Sequence, residues 1–139
     1  MTALTKDRNT PTRAADVFEP LVKGGTLIHA GSLVCHDANG WAVPGTVATT
    51  LVAIGRAEAR ADNSNGVDGD IRARVRRGVF RWANSLAGDA ISAADIGSAC
   101  YVVDDQTVAR SDGASTRSRA GTIVDVDDIG VWVLTGYAY

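Results

Sequence analysis

The chain has 139 residues, of which 45% are apolar and 22% are charged, and these values are typical of a single soluble globular domain. The formal net charge of −2 at pH 7 argues against a protein held on nucleic acid or membranes by bulk positive charge. Glutamate and lysine are rare beside valine, threonine, glycine and aspartate, and this balance indicates a mainly β protein.

The first sixteen residues differ in character from the rest of the chain. They show no apolar periodicity and mix threonine with charges of both signs. We predict that residues 1–16 form an extended N-terminal arm and that residues 17–139 form a single β-rich domain. Because such segments often become ordered on a partner's surface, we expect the arm to be poorly ordered in the isolated protein.

From Val17 onward, short apolar runs alternate with turn residues at intervals of about ten residues, which is typical of a β-sandwich or barrel. The run from Leu33 to Val43 predicts a hairpin that bends at Asn39-Gly40. Other strands are predicted over runs of three to ten residues in the rest of the chain: 26–30, 51–60, 100–104, 107–109, 121–126 and 131–134. Ser92 is the predicted cap of one short helical turn.

The fold class expected from this pattern is mainly β. We predict a compact β-barrel or β-sandwich-like domain of short antiparallel strands, with one short helix and the extended N-terminal arm.

The segment I-R-A-R-V-R alternates strictly between apolar and arginine residues from Ile71 to Arg76. A period of two predicts a half-buried strand, with Ile71, Ala73 and Val75 facing a core and the arginines facing outward. At Arg77-Gly78 the alternation slips by one residue, which indicates a β-bulge. We call the arginines of this region the arginine stripe: Arg72, Arg74, Arg76, Arg77 and Arg81.

Three interpretations of the arginine stripe stay open at this point. Its side chains could pair with aspartates on a neighbouring strand, bind an acidic protein surface, or bind phosphates of a nucleic acid. Guanidinium groups suit all three because they pair bidentately with carboxylates and phosphates. Aromatic residues of the kind that stack bases are nearly absent from the stripe.

Acidic and metal-binding patterns are weak. The segment D-V-D-D-I-G at 125–130 does not match a calcium-loop spacing. The loop 62–70 carries acidic or amide side-chain oxygens at five positions but lacks a terminal bidentate glutamate, and we interpret it as a flexible loop. The histidines and cysteines lack a metal-ligand spacing. We therefore predict no metal, no cofactor and no catalytic residues, and a protein that is not an enzyme.

Cys35 and Cys100 lie in apolar runs, and we interpret them as buried free thiols. A secretory segment and a run of 18 apolar residues are both missing from the sequence. We therefore expect a soluble protein made in a cytoplasm.

Three segments carry a resemblance to a known family. They are A-G-S-L-V-C-H-D-A-N-G-W-A-V-P-G at 30–45, T-L-V-A-I-G-R-A-E-A at 50–59 and V-R-R-G-V-F-R-W-A-N at 75–84. Together with the polar arm, they resemble the small capsid cement or decoration proteins of tailed bacteriophages, including Mu-like phages. The shared positions are structural glycines and apolar residues, over most of residues 24–134.

The resemblance implies a structural virion protein that binds the outside of the major capsid shell as a homotrimer and stabilises it. It implies a virion location after synthesis in the host bacterial cytoplasm, with no membrane and no specific nucleic acid as partner. The alternative is a nucleic-acid-binding β-barrel that uses the arginine strand 72–81. We predict partner contacts at six residues of the arm and stripe: Thr5, Arg8, Arg13, Arg72, Arg74 and Arg76.

Overall fold

The computed structural model describes residues 2–136, which contain twelve strands. In chain order these are β1 (Val17–Phe18), β2 (Thr26–Ile28), β3 (Leu33–His36), β4 (Ala42–Pro44), β5 (Val52–Ala57), β6 (Ala61–Asn63), β7 (Val75–Arg76), β8 (Gly78–Asn84), β9 (Ala99–Val102), β10 (Thr107–Ala109), β11 (Arg119–Val126) and β12 (Val131–Thr135).

The strands form a five-stranded sheet, a closed barrel and a small two-stranded sheet. The five-stranded sheet has the order β1-β7-β5-β3-β4, the barrel the order β10-β8-β12-β11-β9, and β2 pairs with β6. The prediction of a mainly β, barrel-like domain is confirmed. One pair departs from the expected antiparallel pattern, because β10 runs parallel to β8 and so closes the barrel.

The predicted hairpin over 33–43 is confirmed, since β3 and β4 pair antiparallel. The Asp37 carboxylate accepts hydrogen bonds from the backbone N–H groups of Asn39 (2.9 Å) and Trp41 (3.0 Å). Gly40 has a φ of 86°, a conformation that glycine adopts without steric cost. The bend is thus held by one aspartate and one glycine.

Helical structure is limited to two 3₁₀ turns within residues 2–136, Ala87–Asp89 and Ala93–Asp95. Ser92 begins the second turn, as predicted, and forms a capping box with Asp95. The backbone N–H of Ser92 donates to the Asp95 carboxylate at 2.9 Å. The first turn was not predicted. The sequence indicated one short helical turn, and the described residues contain two.

The predicted strand from Ile71 to Arg76 is wrong in extent, because only Val75–Arg76 belongs to a strand. The preceding residues run beside residues 20–22 through single contacts, such as the hydrogen bond from the Ala73 N–H to the Pro20 carbonyl (2.9 Å). The predicted burial of Ala73 and Val75 is confirmed, with 1% and 0% exposed, whereas Ile71 is half-buried.

The irregularity predicted at Arg77-Gly78 is a change of sheet and not a bulge. β7 lies in the five-stranded sheet and β8, which begins at Gly78, lies in the barrel. A side chain at Gly55 of β5 would collide with the Arg76 carbonyl, so the close approach of β5 and β7 depends on a glycine. Between Arg76 and Gly78, the chain passes directly from the five-stranded sheet to the barrel.

Two apolar clusters lie on opposite faces of the five-stranded sheet. Leu33 and Cys35 pack with the barrel interior, whereas Val34 between them packs with the second cluster, which includes Val75. Strands covered on both faces have continuous apolar sequences, which explains the unbroken buried run of β3.

The loop 62–70 is tied to the body by its own polar side chains. Asn63 is 3% exposed, and its side-chain amide donates to the carbonyls of Val22 (3.1 Å), Lys23 (3.2 Å) and Val67 (3.0 Å). The Asp68 carboxylate accepts from the Gly24 N–H at 2.8 Å. These side chains form hydrogen bonds with backbone groups in and beside the loop, which accounts for the many aspartate and asparagine residues in this part of the sequence.

Candidate partner-binding surfaces

The arginine stripe is largely paired with carboxylates of the same chain. Arg74 lies 3.6 Å from the Glu19 carboxylate, and Arg76 contacts both Asp16 (2.9 Å) and Glu58 (3.2 Å). Arg74 and Arg76 therefore pair within the chain, as one interpretation expected. The expected aspartates on a neighbouring strand are not the partners, because Asp16, Glu19 and Glu58 all lie just outside the strands and two of them are glutamates.

Glu58 joins two strands electrostatically. Its carboxylate accepts a hydrogen bond from Arg56 at 2.7 Å as well as the contact from Arg76. The hydrogen bond from Arg56, reinforced by the charges of both arginines, lowers the pKa of Glu58 below its ordinary value. Arg56 also stacks on Phe80, with 4.5 Å from the guanidinium carbon to the ring centroid.

Arg13 of the arm and Arg72 of the stripe line a common open groove of about 430 Å³, which we call the Arg13–Arg72 groove. Between them it is lined by Val17, Phe18, Glu19 and Pro20. The Arg13 guanidinium lies 5.8 Å from the centroid of the Phe18 ring, and Arg72 donates to the Glu19 backbone carbonyl at 2.8 Å. Within residues 2–136, neither arginine forms an ion pair with a carboxylate.

The arm is exposed at every position from residue 2 to residue 16. Its attachment to the domain lies at its end, where the Asp16 carbonyl accepts the Arg77 N–H at 2.9 Å. Thr5 and Arg8 do not line the Arg13–Arg72 groove; Arg8 instead donates to Thr10 of the arm at 3.4 Å. Of the six predicted contact residues, the structure thus brings two together in one groove.

The barrel carries a second surface that was not predicted from the sequence. Four apolar residues of β8, β11 and β12 are exposed or half-buried, and we call them the outer barrel face: Val79, Val124, Trp132 and Leu134. Val79 is 46% exposed and Val124 is 40% exposed. The unbroken apolar sequence of β12 was the available signal, because it gives apolar residues to both faces of the strand.

The rim of the outer barrel face is charged. Arg81 lies 5.5 Å from the Trp132 ring centroid and 3.7 Å from the Asp127 carboxylate. Asp127 in turn accepts the Trp132 indole N–H at 2.9 Å, and this hydrogen bond is the main cause that lowers the pKa of Asp127. The ring is thereby held in place at the surface.

Both cysteines are buried free thiols, as predicted. Burial raises the pKa of Cys35 and of Cys100 to about 12, so both stay protonated at neutral pH and are poor nucleophiles. Within the described part of the chain, histidine, cysteine and acidic side chains do not form a group of three that could hold a metal ion.

None of the helices between residues 2 and 136 has the length and apolar character needed to cross a membrane. Comparisons with protein-family models, with curated proteins and with solved structures found no match to this chain.

Proposed function

We propose that the protein is a capsid decoration, or cement, subunit that binds the outside of the major capsid shell of a tailed bacteriophage and stabilises it. The observation that carries the proposal is the arm, in which all fifteen residues from 2 to 16 are exposed. Exposed arms can become ordered on a partner and cover a large surface. The segment resemblance described above supports the same function.

The physical requirements of such a subunit agree with the structure. A capsid shell under internal pressure can be stabilised by many weak contacts summed over many copies. Once one contact of a subunit has formed, its other contacts form at a high effective concentration. A rigid domain that supplies fixed surfaces and an arm that reaches a neighbouring subunit together provide such contacts. The closed barrel supplies the rigid part.

We further propose that the protein associates with itself as a trimer and that the outer barrel face supplies one side of the subunit contact. Apolar patches rimmed by charges are typical of protein interaction sites. A three-fold ring needs two different surfaces on each copy, so the outer barrel face would meet another surface of the next subunit.

Deletion of residues 2–15 tests the shell-binding proposal. We expect the deletion to leave the melting temperature nearly unchanged, because the removed residues are all exposed, and to weaken co-sedimentation with capsid shells assembled from the same phage's major capsid protein. Equal retention of the full-length and shortened proteins on shells would contradict the role of the arm. Unfolding of the shortened protein would show that the arm belongs to the core.

Val124→Asp tests the trimer. In sedimentation velocity, the unaltered protein is expected to form trimers, free or after release from shells, and the variant to sediment as a monomer. Val67→Asp is the matched control, because Val67 is 68% exposed in the loop 62–70. A protein that stays monomeric, and binds shells singly away from three-fold positions, would refute the trimer.

The alternative function is binding of DNA by the arginine stripe. Phosphate contacts weaken steeply as salt concentration rises, so electrophoretic mobility with DNA at low and physiological salt distinguishes it. We favour the protein partner because Asp16, Glu19 and Glu58 pair with Arg56, Arg74 and Arg76, so the stripe does not present a continuous row of unpaired arginines to a phosphate backbone.

A further inference from the structure

We propose that the Arg13–Arg72 groove binds a carboxylate-bearing peptide segment, held between the arm and the domain. This inference rests on the proposed function for the identity of the partner, a protein shell. The chemistry of the groove itself depends on residues of this chain.

The first step in the argument is local charge. Around β1 and β7, six arginines stand against three carboxylates, which leaves an excess of three positive charges in a chain whose net charge is −2. The arginines are Arg13, Arg56, Arg72, Arg74, Arg76 and Arg77, and the carboxylates are Asp16, Glu19 and Glu58. The three carboxylates are engaged by Arg56, Arg74 and Arg76.

The second step is where the excess charge lies. Two of the other three arginines, Arg13 and Arg72, line the same groove and are both exposed. Arg72 uses Nη1 for the Glu19 backbone carbonyl at 2.8 Å, so the rest of its guanidinium keeps donors for a ligand. Two guanidinium groups facing one groove form a site for an anion, since each can bind a carboxylate bidentately.

The third step is the floor of the groove, which distinguishes a peptide from a nucleic acid. Val17, Phe18 and Pro20 line it between the two arginines. An acidic peptide can place aliphatic side chains on this apolar floor and its carboxylates on the guanidinium groups. A sugar–phosphate backbone has no aliphatic side chains to place on this apolar lining.

The arm takes part in this site through Arg13. The stacking of Arg13 over Phe18, at 5.8 Å, places it above the groove, whereas Arg72 belongs to the body of the domain. A bound carboxylate segment would therefore join arm and domain. Binding of the partner and ordering of the arm become one event.

The test measures fluorescence anisotropy of a fluorescein-labelled hexaglutamate peptide with the full-length protein at low salt. We expect the unaltered protein to bind the probe, and Arg13→Ala and Arg72→Ala each to weaken binding roughly tenfold, as expected for loss of a hydrogen bond to a charged group. Arg60→Ala is the matched control. Arg60 is an exposed arginine that lies 3.6 Å from Asp62, outside the groove, so its loss changes the net charge equally. Melting temperatures verify that each variant folds.

Several results would overturn the inference. These are no binding of hexaglutamate by the unaltered protein, equal weakening by Arg60→Ala and the groove variants, and tighter binding of a labelled six-residue oligothymidylate than of hexaglutamate. Shell retention separates the two proposals. If the Arg13→Ala, Arg72→Ala double variant stays on shells like the unaltered protein, the groove is not the contact although the decoration function stands. If the unaltered protein binds hexaglutamate but no shell, the groove assignment stands and the decoration function fails.

Discussion

Replacement of Val75 tests whether the short strand β7 contributes to the apolar core of the domain. Val75 is fully buried in the second apolar cluster and pairs with Phe18 of β1 and Ala57 of β5. Val75→Ala removes two methyl groups from this site. Their transfer from water is worth about 1.6 kcal/mol, and the cavity left behind raises the expected loss of unfolding free energy to about 2 kcal/mol.

This loss translates into a measurable melting temperature. With about 2.1 cal/mol/K of unfolding entropy per residue, a chain of 139 residues has about 0.3 kcal/mol/K, so Val75→Ala should melt about 7 °C lower. Val75→Asp places an unpaired charge in the core and should prevent stable folding.

Arg74→Ala is the matched control, because the side chain of Arg74, the residue before Val75, is 56% exposed. Loss of its ion pair with Glu19 should cost roughly 0–1 kcal/mol. Thermal unfolding followed by circular dichroism, with urea titration, gives these values. If Val75→Asp unfolds cooperatively at the temperature of the unaltered protein, the assignment of Val75 to the core is wrong.

Three further predictions concern single contacts. Thr135→Val removes the acceptor, 3.0 Å away, of the buried Trp82 indole N–H, and should cost about 1–3 kcal/mol in urea titration; an unchanged midpoint would contradict this. Glu58 has a lowered pKa in the folded protein, so its contribution to stability is present above pH 4.5 and is lost as the pH falls through the folded value. Glu58→Gln should therefore be less stable at neutral pH and show a shallower acid loss of melting temperature; parallel pH profiles would refute the role of the carboxylate. Cys35 and Cys100 should react with a thiol reagent only after denaturation, and rapid native reaction would show that they are accessible.

Local patterns predicted much of the fold because they depend on neighbouring residues. The hairpin bend at Asn39-Gly40 and the cap at Ser92 follow from turn and capping chemistry that acts over four residues or fewer. β10 was placed at its observed bounds and β3 at its observed start because turn residues flank them.

Long-range pairing could not be predicted in the same way. The segment 71–74 alternates like a strand, yet its neighbours at 20–22 offer single contacts in place of a continuous ladder. The parallel pairing of β10 with β8 joins Thr107 to Ala83 across an intervening hairpin strand. Such contacts depend on how whole elements pack and leave no local signature.

The same distinction between local patterns and long-range packing applies to the candidate surfaces. The sequence identified arginines as the notable charges, but which of them carry a carboxylate partner depends on Asp16, Glu19 and Glu58, which are distant from some of their partners in the chain. Arg13 and Arg72 meet in one groove because β1 lies beside the segment that leads into β7. That meeting is a property of the fold.

The closed barrel affects how copies of this protein behave at high local concentration. An open sheet edge offers unpaired backbone groups to other molecules and promotes aggregation, but a closed barrel has no such edge. In the five-stranded sheet, one edge strand has two residues and the other, β4, ends in Pro44, which lacks a backbone N–H for pairing. Copies of this protein packed side by side at high local concentration are therefore protected against fusing strand to strand into amyloid-like polymers.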